Sequence, residues 1–211
     1  MRHDGNVMKA VFIDIETTGL DFDVHVILDI GVVIVDLNDY SQVQAYTSCI
    51  RCDTHDWLLA DKKALEVNGF TEGNHWQLAK DDWVVSQEIE DFLVKNEIIK
   101  GKAFFICQNS SFDRPFFRQL MSQERVEELN LPYHWLDLAS MYWIKFYGSF
   151  WPIPSANCII PEYEYEISLS KDSIAKHFGI PPEEKPHRAL NGVMHLIKCY
   201  KAISGGCRSY Q

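Results

Sequence analysis

Residues 9–20 read KAVFIDIETTGL and contain the pattern that decides the fold. The run is apolar and rich in branched side chains, which predicts a β-strand. Side chains alternate between the two faces of a strand, so Asp14 and Glu16 share one face while Ile13 and Ile15 point to the other. Two carboxylates on one face are oxygen ligands of the kind that hard divalent cations prefer. The same spacing is common on exposed strands, so the stretch alone leaves a plain structural role open.

The segments that follow predict a mixed α/β sheet. Two further β-rich runs at residues 25–37 and 41–51, joined by short polar links, indicate an antiparallel meander. Residues 82–99 then have helical spacing, and residues 102–108 are continuously apolar, as in a central strand buried on both faces. We therefore expect one domain over residues 1–211, with a meander plus parallel strands and helices on both faces of the sheet.

Two helices are predicted near the end of the sequence. Residues 168–180 have helical spacing, with Ser168 as the N-cap and Gly179 as the C-terminal stop. The last helix is predicted over about residues 188–203. Its predicted apolar stripe consists of Leu190, Val193, Met194 and Ile197. Residues 149–166 contain three of the eight prolines and are interpreted as a long surface loop.

Two more candidate site residues lie where helices are predicted to begin. Asp113 belongs to NSSFDRPFF, residues 109–117, which follows the buried strand. His187 belongs to PHRALNGV, residues 186–193, and is predicted to lie in the first turn of the last helix. Each has a simpler interpretation, because aspartate often caps a first turn and a lone histidine there is often a surface residue.

Taken together and in this order, FIDIETTGL, NSSFD and HRALNGV resemble the three motifs of the DEDDh group of 3′-to-5′ exonucleases. These are the DnaQ-like proteins, which include the proofreading subunit of bacterial DNA polymerase III and ribonuclease T. The resemblance runs from about residue 10 to residue 200. It implies a ribonuclease H-like fold and a nuclease, a hydrolase of phosphodiesters that acts with two divalent cations, Mg²⁺ or Mn²⁺.

The resemblance also implies a role for each motif residue. Asp14 would bridge both ions, and Glu16 would hold the ion that activates water. Asp113 would support the second ion, and His187 would take the proton from the attacking water. Two ions about 4 Å apart can stabilise both the entering and the leaving oxygen of the displacement. The implied catalytic residues are thus three acidic metal ligands and one histidine.

The third motif departs from the family at Gly192, where the family carries its fourth acid. Asn191 offers an amide oxygen, although one position turns about 100° around a helix. Asp137 or Asp172 could instead reach the site, or three acids could suffice, with Mn²⁺ favoured. The alternative function is a catalytically weakened or inactive homologue that binds nucleic acid.

The expected substrate is the 3′ end of single-stranded DNA or RNA. The predicted substrate-binding residues are Thr17, Thr18, Gly19, Leu20, Asn109 and Phe112. Phe112 would stack on a base, since such stacking contributes about 1–3 kcal/mol. Phe116 and Phe117 lie on a helical stripe and are assigned to the core. A subunit docked on a polymerase or another protein is a further alternative, with the aromatic side chains of residues 149–166 as its anchors.

Composition excludes several other classes. The formal net charge is −10, whereas proteins that bind duplex nucleic acid without sequence specificity usually carry a basic surface. No apolar run reaches the roughly 20 residues of a membrane helix, and the first residues lack the apolar core of a secretory signal, which predicts a cytoplasmic protein without a membrane partner. Cys49 and Cys52 form a lone C-x-x-C and are interpreted as half-buried strand residues, because a structural zinc ion needs four ligands.

Overall fold

A computed structural model of the chain describes residues 8–146 and 168–205. The strands in these ranges are β1 (Lys9–Thr17), β2 (Ile27–Asp36), β3 (Gln42–Ile50), β4 (Ala79–Lys80), β5 (Ala103–Cys107) and β6 (Trp135–Asp137). The helices are α1 (Thr54–Leu59), α2 (Lys62–Asn68), α3 (Glu72–Trp76), α4 (Asp82–Lys95), α5 (Ser110–Phe117), α6 (Gln123–Glu128), α7 (Leu138–Phe146), α8 (Lys171–His177) and α9 (Ala189–Gly205).

The predicted mixed sheet is confirmed. β1 pairs antiparallel with β2, and β2 pairs antiparallel with β3, which gives the meander. β5 then adds in parallel to the other edge of β1, and β6 adds in parallel to β5. Across the described sheet the order is β4-β3-β2-β1-β5-β6, so β1 lies between two strands and is buried on both faces. This is the ribonuclease H-like arrangement that the resemblance implies.

Side chains of β1 alternate between two hydrophobic layers. Its odd-numbered apolar residues from Val11 to Ile15 pack with α4 and α5. Ala10 and Phe12 pack on the opposite face, with residues of α7, α8 and α9. Asp14 continues this second series, because alternate residues of a strand share a face. The first carboxylate of the motif therefore points into the layer that α8 and α9 cover.

The first layer contains the helices that the spacing predicts. In α4 the side chains of Val85, Ile89 and Leu93 are fully buried against the sheet. Phe116 and Phe117 of α5 are also buried in this layer, which confirms their assignment to the core. Each large apolar side chain removed from water in this way contributes about 1.5–3 kcal/mol.

The last helix begins within one residue of the predicted start, but its buried stripe is rotated. α9 starts at Ala189, so His187 lies in the preceding segment and not in the first turn. Val193 and Ile197 are buried as predicted, but Met194 is 37% exposed. The buried side also carries small residues, among them Gly192, which allow the helix to lie close to the sheet. Hydrophobicity alone gives these small residues little weight, which is why the predicted stripe was misplaced.

Two local predictions for α8 have different outcomes. The N-cap is Ser170, whose hydroxyl accepts the backbone N–H of Ser173, so the prediction of Ser168 is wrong by two residues. The predicted stop is confirmed, because the helix ends at His177 and Gly179 adopts a φ of 67°. Glycine adopts this left-handed conformation without the clash that a Cβ would cause.

Three short helices, α1 to α3, were not predicted. They have five to seven residues each, which is too short for a helical period to stand out. Asp53, Asp61 and Thr71 cap their first turns with side-chain oxygens. Among the described residues no helix has the length and apolar character needed to cross a membrane.

Two remaining predictions concern the cysteine pair and the proline-rich loop. Cys49 is half-buried in β3, as predicted, whereas Cys52 is buried just beyond the end of that strand. Both thiols are free. Residues 149–166, with the aromatic side chains of the docked-subunit alternative, lie outside the described residues.

Candidate active site

The four predicted catalytic residues all line one cavity of about 740 Å³. Asp14 and Glu16 come from the C-terminal half of β1, and Asp113 comes from the first turn of α5. His187 comes from the segment that precedes α9. β1 and β5 are parallel neighbours, so their carboxyl ends meet at one edge of the sheet, where α5 begins. The topology thus brings together residues from opposite ends of the chain.

At the cavity wall, Asp14 is buried and Glu16 is half-buried. Asp14 is buried opposite Gly31 of β2, and Glu16 lies opposite Asp29. Burial raises the pKa of Asp14, and the neighbouring Lys171 ammonium offsets this only in part. Burial also raises the pKa of Glu16 to about 8, with the negative charge of Asp14 as the next cause. Positive charge near these groups would favour their ionised forms.

Asp113 both caps α5 and lines the cavity. The Asn109 side chain accepts the backbone N–H of Ser111 as the N-cap, and the Asp113 carboxylate accepts the backbone N–H of Asn109 at 3.2 Å. Burial raises the pKa of Asp113 to about 7, and the charge of Asp14 adds to this effect. Asp113 therefore fits both interpretations: it caps the helix, and it lines the candidate site.

His187 is positioned through backbone contacts of its segment with α2 and the turn after it. Its backbone N–H donates to the carbonyl of Val67 at 3.1 Å. The next residue, Arg188, donates to the carbonyls of Asn68 and His187 and lies 4.1 Å from the centroid of the Phe70 ring. The Nε2 atom of His187 is buried without a hydrogen-bond partner among the described residues. That atom is available to accept a proton or to bind an ion.

Asp29, which was not predicted as a site residue, fixes the start of α9. Its carboxylate accepts the backbone N–H of Ala189 at 3.0 Å. Burial raises the pKa of Asp29 to about 6, although this hydrogen bond acts in the other direction. Two residues along β2, a Cβ on Gly31 would lie 2.6 Å from the backbone of Ala189. β2 therefore determines how closely α9 approaches the carboxylates of β1.

Gly192, the position of the missing fourth acid, directly faces Asp14. A Cβ built on Gly192 would lie 1.9 Å from Asp14 Oδ2 and 3.0 Å from Lys171 Nζ. The Asp14 carboxylate thus occupies space that any side chain at position 192 would need. In this structure a side chain at position 192 would therefore have to displace the Asp14 carboxylate.

Of the three predicted substitutes, Asp172 alone lines the cavity. Asn191 is exposed and does not line the cavity. Asp137 accepts hydrogen bonds at the starts of α5 and α7 and does not line this cavity. Asp172 does line it, but one carboxylate oxygen accepts the backbone N–H of Glu183 at 3.3 Å. This last contact positions a residue that the sequence analysis missed.

Glu183 brings a further carboxylate into the cavity, next to Glu16 and His187. One ligand atom each from Glu16, Glu183 and His187 lie within 4.8 Å of one another. Glu183 is buried, and its Oε1 atom has no hydrogen-bond partner in the described parts of the chain. Glu183 belongs to PPEEKP, residues 181–186, between the two predicted helices, and a loop has no periodicity that marks an inward-facing residue. The only available signal was its position four residues before His187.

Lys171, the first residue of α8, was also missed. Its Nζ atom lies 2.9 Å from Asp14 Oδ1 and 2.7 Å from Glu183 Oε2. Burial alone would lower the pKa of Lys171, but the two carboxylates outweigh burial and raise it. The lysine is therefore a charged counter-ion inside the carboxylate cluster.

The predicted substrate-binding residues are divided between the cavity wall and the structure behind it. Four of them line the cavity: Thr17, Leu20, Asn109 and Phe112. Thr18 and Gly19 are not part of this lining. The Thr18 hydroxyl accepts the backbone N–H of Val26, and the Thr17 hydroxyl donates to the carbonyl of Gly19 at 2.6 Å. Both hydroxyls therefore already serve the turn that follows β1.

The sequence profile of the RNase_T family, which is described as an exonuclease family, matches residues 11–200. The chain belongs to this exonuclease family. The profile covers all three motifs and all of the described sheet except the first two residues of β1. Members are the DEDDh, DnaQ-like 3′-to-5′ exonucleases that the motifs resemble. No protein of curated function matches the chain in sequence.

Solved structures of exonucleases have the same fold. E. coli exonuclease I in complex with a dT13 oligonucleotide superposes with a TM-score of 0.70 and 14% identity, covering 93% of this chain and 41% of that one. Its zinc-bound form with single-stranded DNA has a TM-score of 0.70 and 13% identity, covering 95% and 41%. The nuclease domain of 3′hExo, a DEDDh family member bound to rAMP, has a TM-score of 0.65 and 16% identity, covering 97% and 96%. The chain thus spans about two fifths of exonuclease I.

DEDDh exonucleases use divalent metal ions, and the residues of this chain fit such an ion. Carboxylate oxygens and an imidazole nitrogen are suitable ligands for first-row divalent cations. The Glu16–Glu183–His187 cluster offers three of them at mutually close positions. Two atoms in this cluster, Glu183 Oε1 and His187 Nε2, are buried without hydrogen-bond partners among the described residues. Buried polar atoms of this kind are rare unless a ligand or water completes them.

Proposed function

We propose that this chain is a metal-dependent 3′-to-5′ exonuclease that releases nucleotides from the 3′ end of single-stranded DNA or RNA. The observation that carries the proposal is the convergence of Asp14, Glu16, Asp113 and His187 on one cavity. Membership of the exonuclease family supports the reaction class. The oligonucleotide bound to exonuclease I and the rAMP bound to 3′hExo support DNA and RNA ends as the two substrates to compare.

Glu16 and Glu183 would hold a divalent cation beside His187, with Mg²⁺ or Mn²⁺ as the expected ion. When bound, the cation would neutralise charge on the phosphate and make the attacking water more acidic. Asp14 and Asp113 complete the acidic wall of the same cavity. The arrangement with two divalent cations, which the resemblance implies, stays a prediction.

The reaction is hydrolysis of the terminal phosphodiester. A water oxygen attacks the phosphorus, the bond from phosphorus to the 3′ oxygen breaks, and a nucleoside 5′-monophosphate leaves. His187 takes the proton of the water, since one of its ring nitrogens lies within 4.8 Å of a carboxylate oxygen of Glu16 and of Glu183, and histidine is a common general base. The departing 3′ oxygen gains a proton from solvent. The shortened strand thus ends in a new 3′ hydroxyl.

The remaining cavity wall is suited to a nucleobase. Apolar side chains line it beside the carboxylates: Leu20, Ala64, Val67 and Phe112. An aromatic ring supports any base through its π-face, so such a wall favours terminal nucleotides without strong sequence preference. The absence of sequence selectivity is therefore part of the proposal.

A weakened or inactive homologue that binds nucleic acid is the second candidate. The specific observation in its favour is Lys171, whose ammonium is already paired with Asp14 where the resemblance implies a bridging metal ligand. Such a protein would bind single-stranded oligonucleotides but would not shorten them with any divalent cation.

Single-stranded DNA and RNA oligonucleotides, labelled at the 5′ end and incubated with Mg²⁺ or Mn²⁺, distinguish the two candidates. We expect a ladder that shortens from the 3′ end. His187→Ala should lose about 10²–10⁴-fold in rate, the usual contribution of a general base. The matched control is His55→Ala, an exposed histidine of α1 outside the cavity, which should cleave like the parent. A folded parent protein that binds both oligonucleotides and cleaves neither would establish the second candidate.

A further inference from the structure

The carboxylate cluster contains a built-in cation. Lys171 Nζ lies 2.9 Å from Asp14 Oδ1, 2.7 Å from Glu183 Oε2 and 3.4 Å from the backbone oxygen of Gly192. The lysine side chain is 14% exposed and the Glu183 side chain is 1% exposed, so the contact is not a solvated surface pair. An ammonium surrounded by three oxygens occupies the kind of environment that a hard metal ion otherwise takes.

The missing side chain at position 192 makes room for this ammonium. A Cβ on Gly192 would lie 3.0 Å from Lys171 Nζ, before any further side-chain atom is added. A carboxylate built outward from that Cβ would therefore compete with the lysine for the space next to Asp14. The glycine and the lysine are two parts of one arrangement.

Glu183 connects the lysine with the candidate ion position. Its Oε2 atom pairs with Lys171, whereas its Oε1 atom has no hydrogen-bond partner in the described ranges. The same residue forms the close cluster with Glu16 and His187. A bidentate group placed in this way can hold the ammonium on one side and a divalent cation on the other.

We propose that the Lys171 ammonium replaces one of the two divalent cations and that Glu183 replaces the fourth acid, so that the chain binds a single divalent cation between Glu16 and Glu183. The inference rests on the proposed exonuclease function. Lys171 lines the cavity, so its fixed positive charge would act on the scissile phosphate together with the bound ion. A preorganised cation of this kind stabilises developing negative charge without having to be recruited from solution.

The first test counts bound Mn²⁺ ions on the unmodified protein by electron paramagnetic resonance of the free ion during titration. We expect one site per chain. Two sites, or none, would overturn the proposal. Because this measurement uses no variant, it does not depend on whether a substituted protein folds.

Variants then assign the site, with folding checked by circular dichroism. Glu183→Gln should weaken Mn²⁺ binding at least about 100-fold, beyond the loss typical of residues that only orient a ligand. Its matched control is the exposed neighbour Glu184→Gln, which should bind like the parent. Lys171→Met should bind a second Mn²⁺ ion, while Lys176→Met, an exposed lysine of the same helix, should not. Unchanged Mn²⁺ binding in Glu183→Gln, or a single ion in folded Lys171→Met, would refute the assignment.

The ion count tests the role of Lys171, and the cleavage assay tests the exonuclease function, so the two proposals can be refuted separately. A parent protein that shortens 3′ ends but binds two ions would retain the exonuclease function and exclude the role of Lys171. A parent protein that binds one ion but cleaves neither oligonucleotide would exclude the function on which the role depends.

Discussion

Restoring an acid at position 192 should damage the site, although the family pattern suggests the opposite. A Cβ there would lie 1.9 Å from Asp14 Oδ2, whereas ordinary contact begins at 3.4 Å, so the Asp14 carboxylate must move by about 1.5 Å. Its 2.9 Å pair with Lys171 would then be broken or rebuilt. A misplacement of about 1 Å in an active site costs on the order of 100-fold in rate. We therefore expect Gly192→Asp to cleave about 100-fold more slowly than the parent.

The steric part of this prediction can be isolated with alanine variants. Overpacking a core position costs about 1–3 kcal/mol, whereas replacing glycine by alanine inside a helix gains about 1 kcal/mol. Gly73→Ala in α3 is the matched control, since a Cβ there meets nothing within 4 Å. The helix term largely cancels between the two variants. For a chain of this length, about 2–4 °C in Tm corresponds to 1 kcal/mol, so Gly192→Ala should melt roughly 2–12 °C below Gly73→Ala.

Differential scanning fluorimetry gives the two melting temperatures, and single-turnover cleavage of a 5′-labelled oligonucleotide gives the rates. Equal melting of the two alanine variants would show that Asp14 yields at no cost. A Gly192→Asp protein that cleaves faster than the parent would refute the packing argument and return the missing acid to its family role.

Three further predictions follow from the surroundings of the site. Without metal, Glu16 and Asp113 have pKa values of about 8 and 7, above their unfolded values of 4.5 and 3.8, so the folded state holds protons that the unfolded state releases. Stability in chelator should thus fall as pH rises from about 5 to about 8, and Mn²⁺ should flatten this slope; a Tm that rises with pH over this range would contradict it. Arg188→Ala should lower the single-turnover rate about 10–100-fold at saturating oligonucleotide, because the side chain that orients the His187 backbone is lost. An unchanged rate would show that Arg188 does not orient His187. Gly31→Ala should destabilise the protein by about 1–3 kcal/mol in urea unfolding, since its Cβ would meet the backbone of α9, and a neutral effect would show that the helix can shift freely.

The sequence determined the fold and predicted four residues of the candidate site because their signals are local. Alternation along residues 9–20 fixed which face of β1 carries Asp14 and Glu16, and the continuous apolar run before Asp113 marked a central strand. The order of the three motifs then allowed the family to be recognised. Such patterns predict structure because the strand and helix periods are properties of the backbone.

Tertiary structure decided what occupies the position of the missing acid. Glu183 lies in a loop and Lys171 opens a short helix, so no period in the sequence points either side chain inward. Their meeting with Asp14 depends on how closely α9 approaches β1 and β2, which Gly31 and Gly192 permit by having no Cβ. That distance is set by packing between residues far apart in the chain. In the sequence, Gly192 suggests a lost metal ligand. In the folded protein, the absence of a side chain at this position leaves room for the Asp14 carboxylate and the Lys171 ammonium.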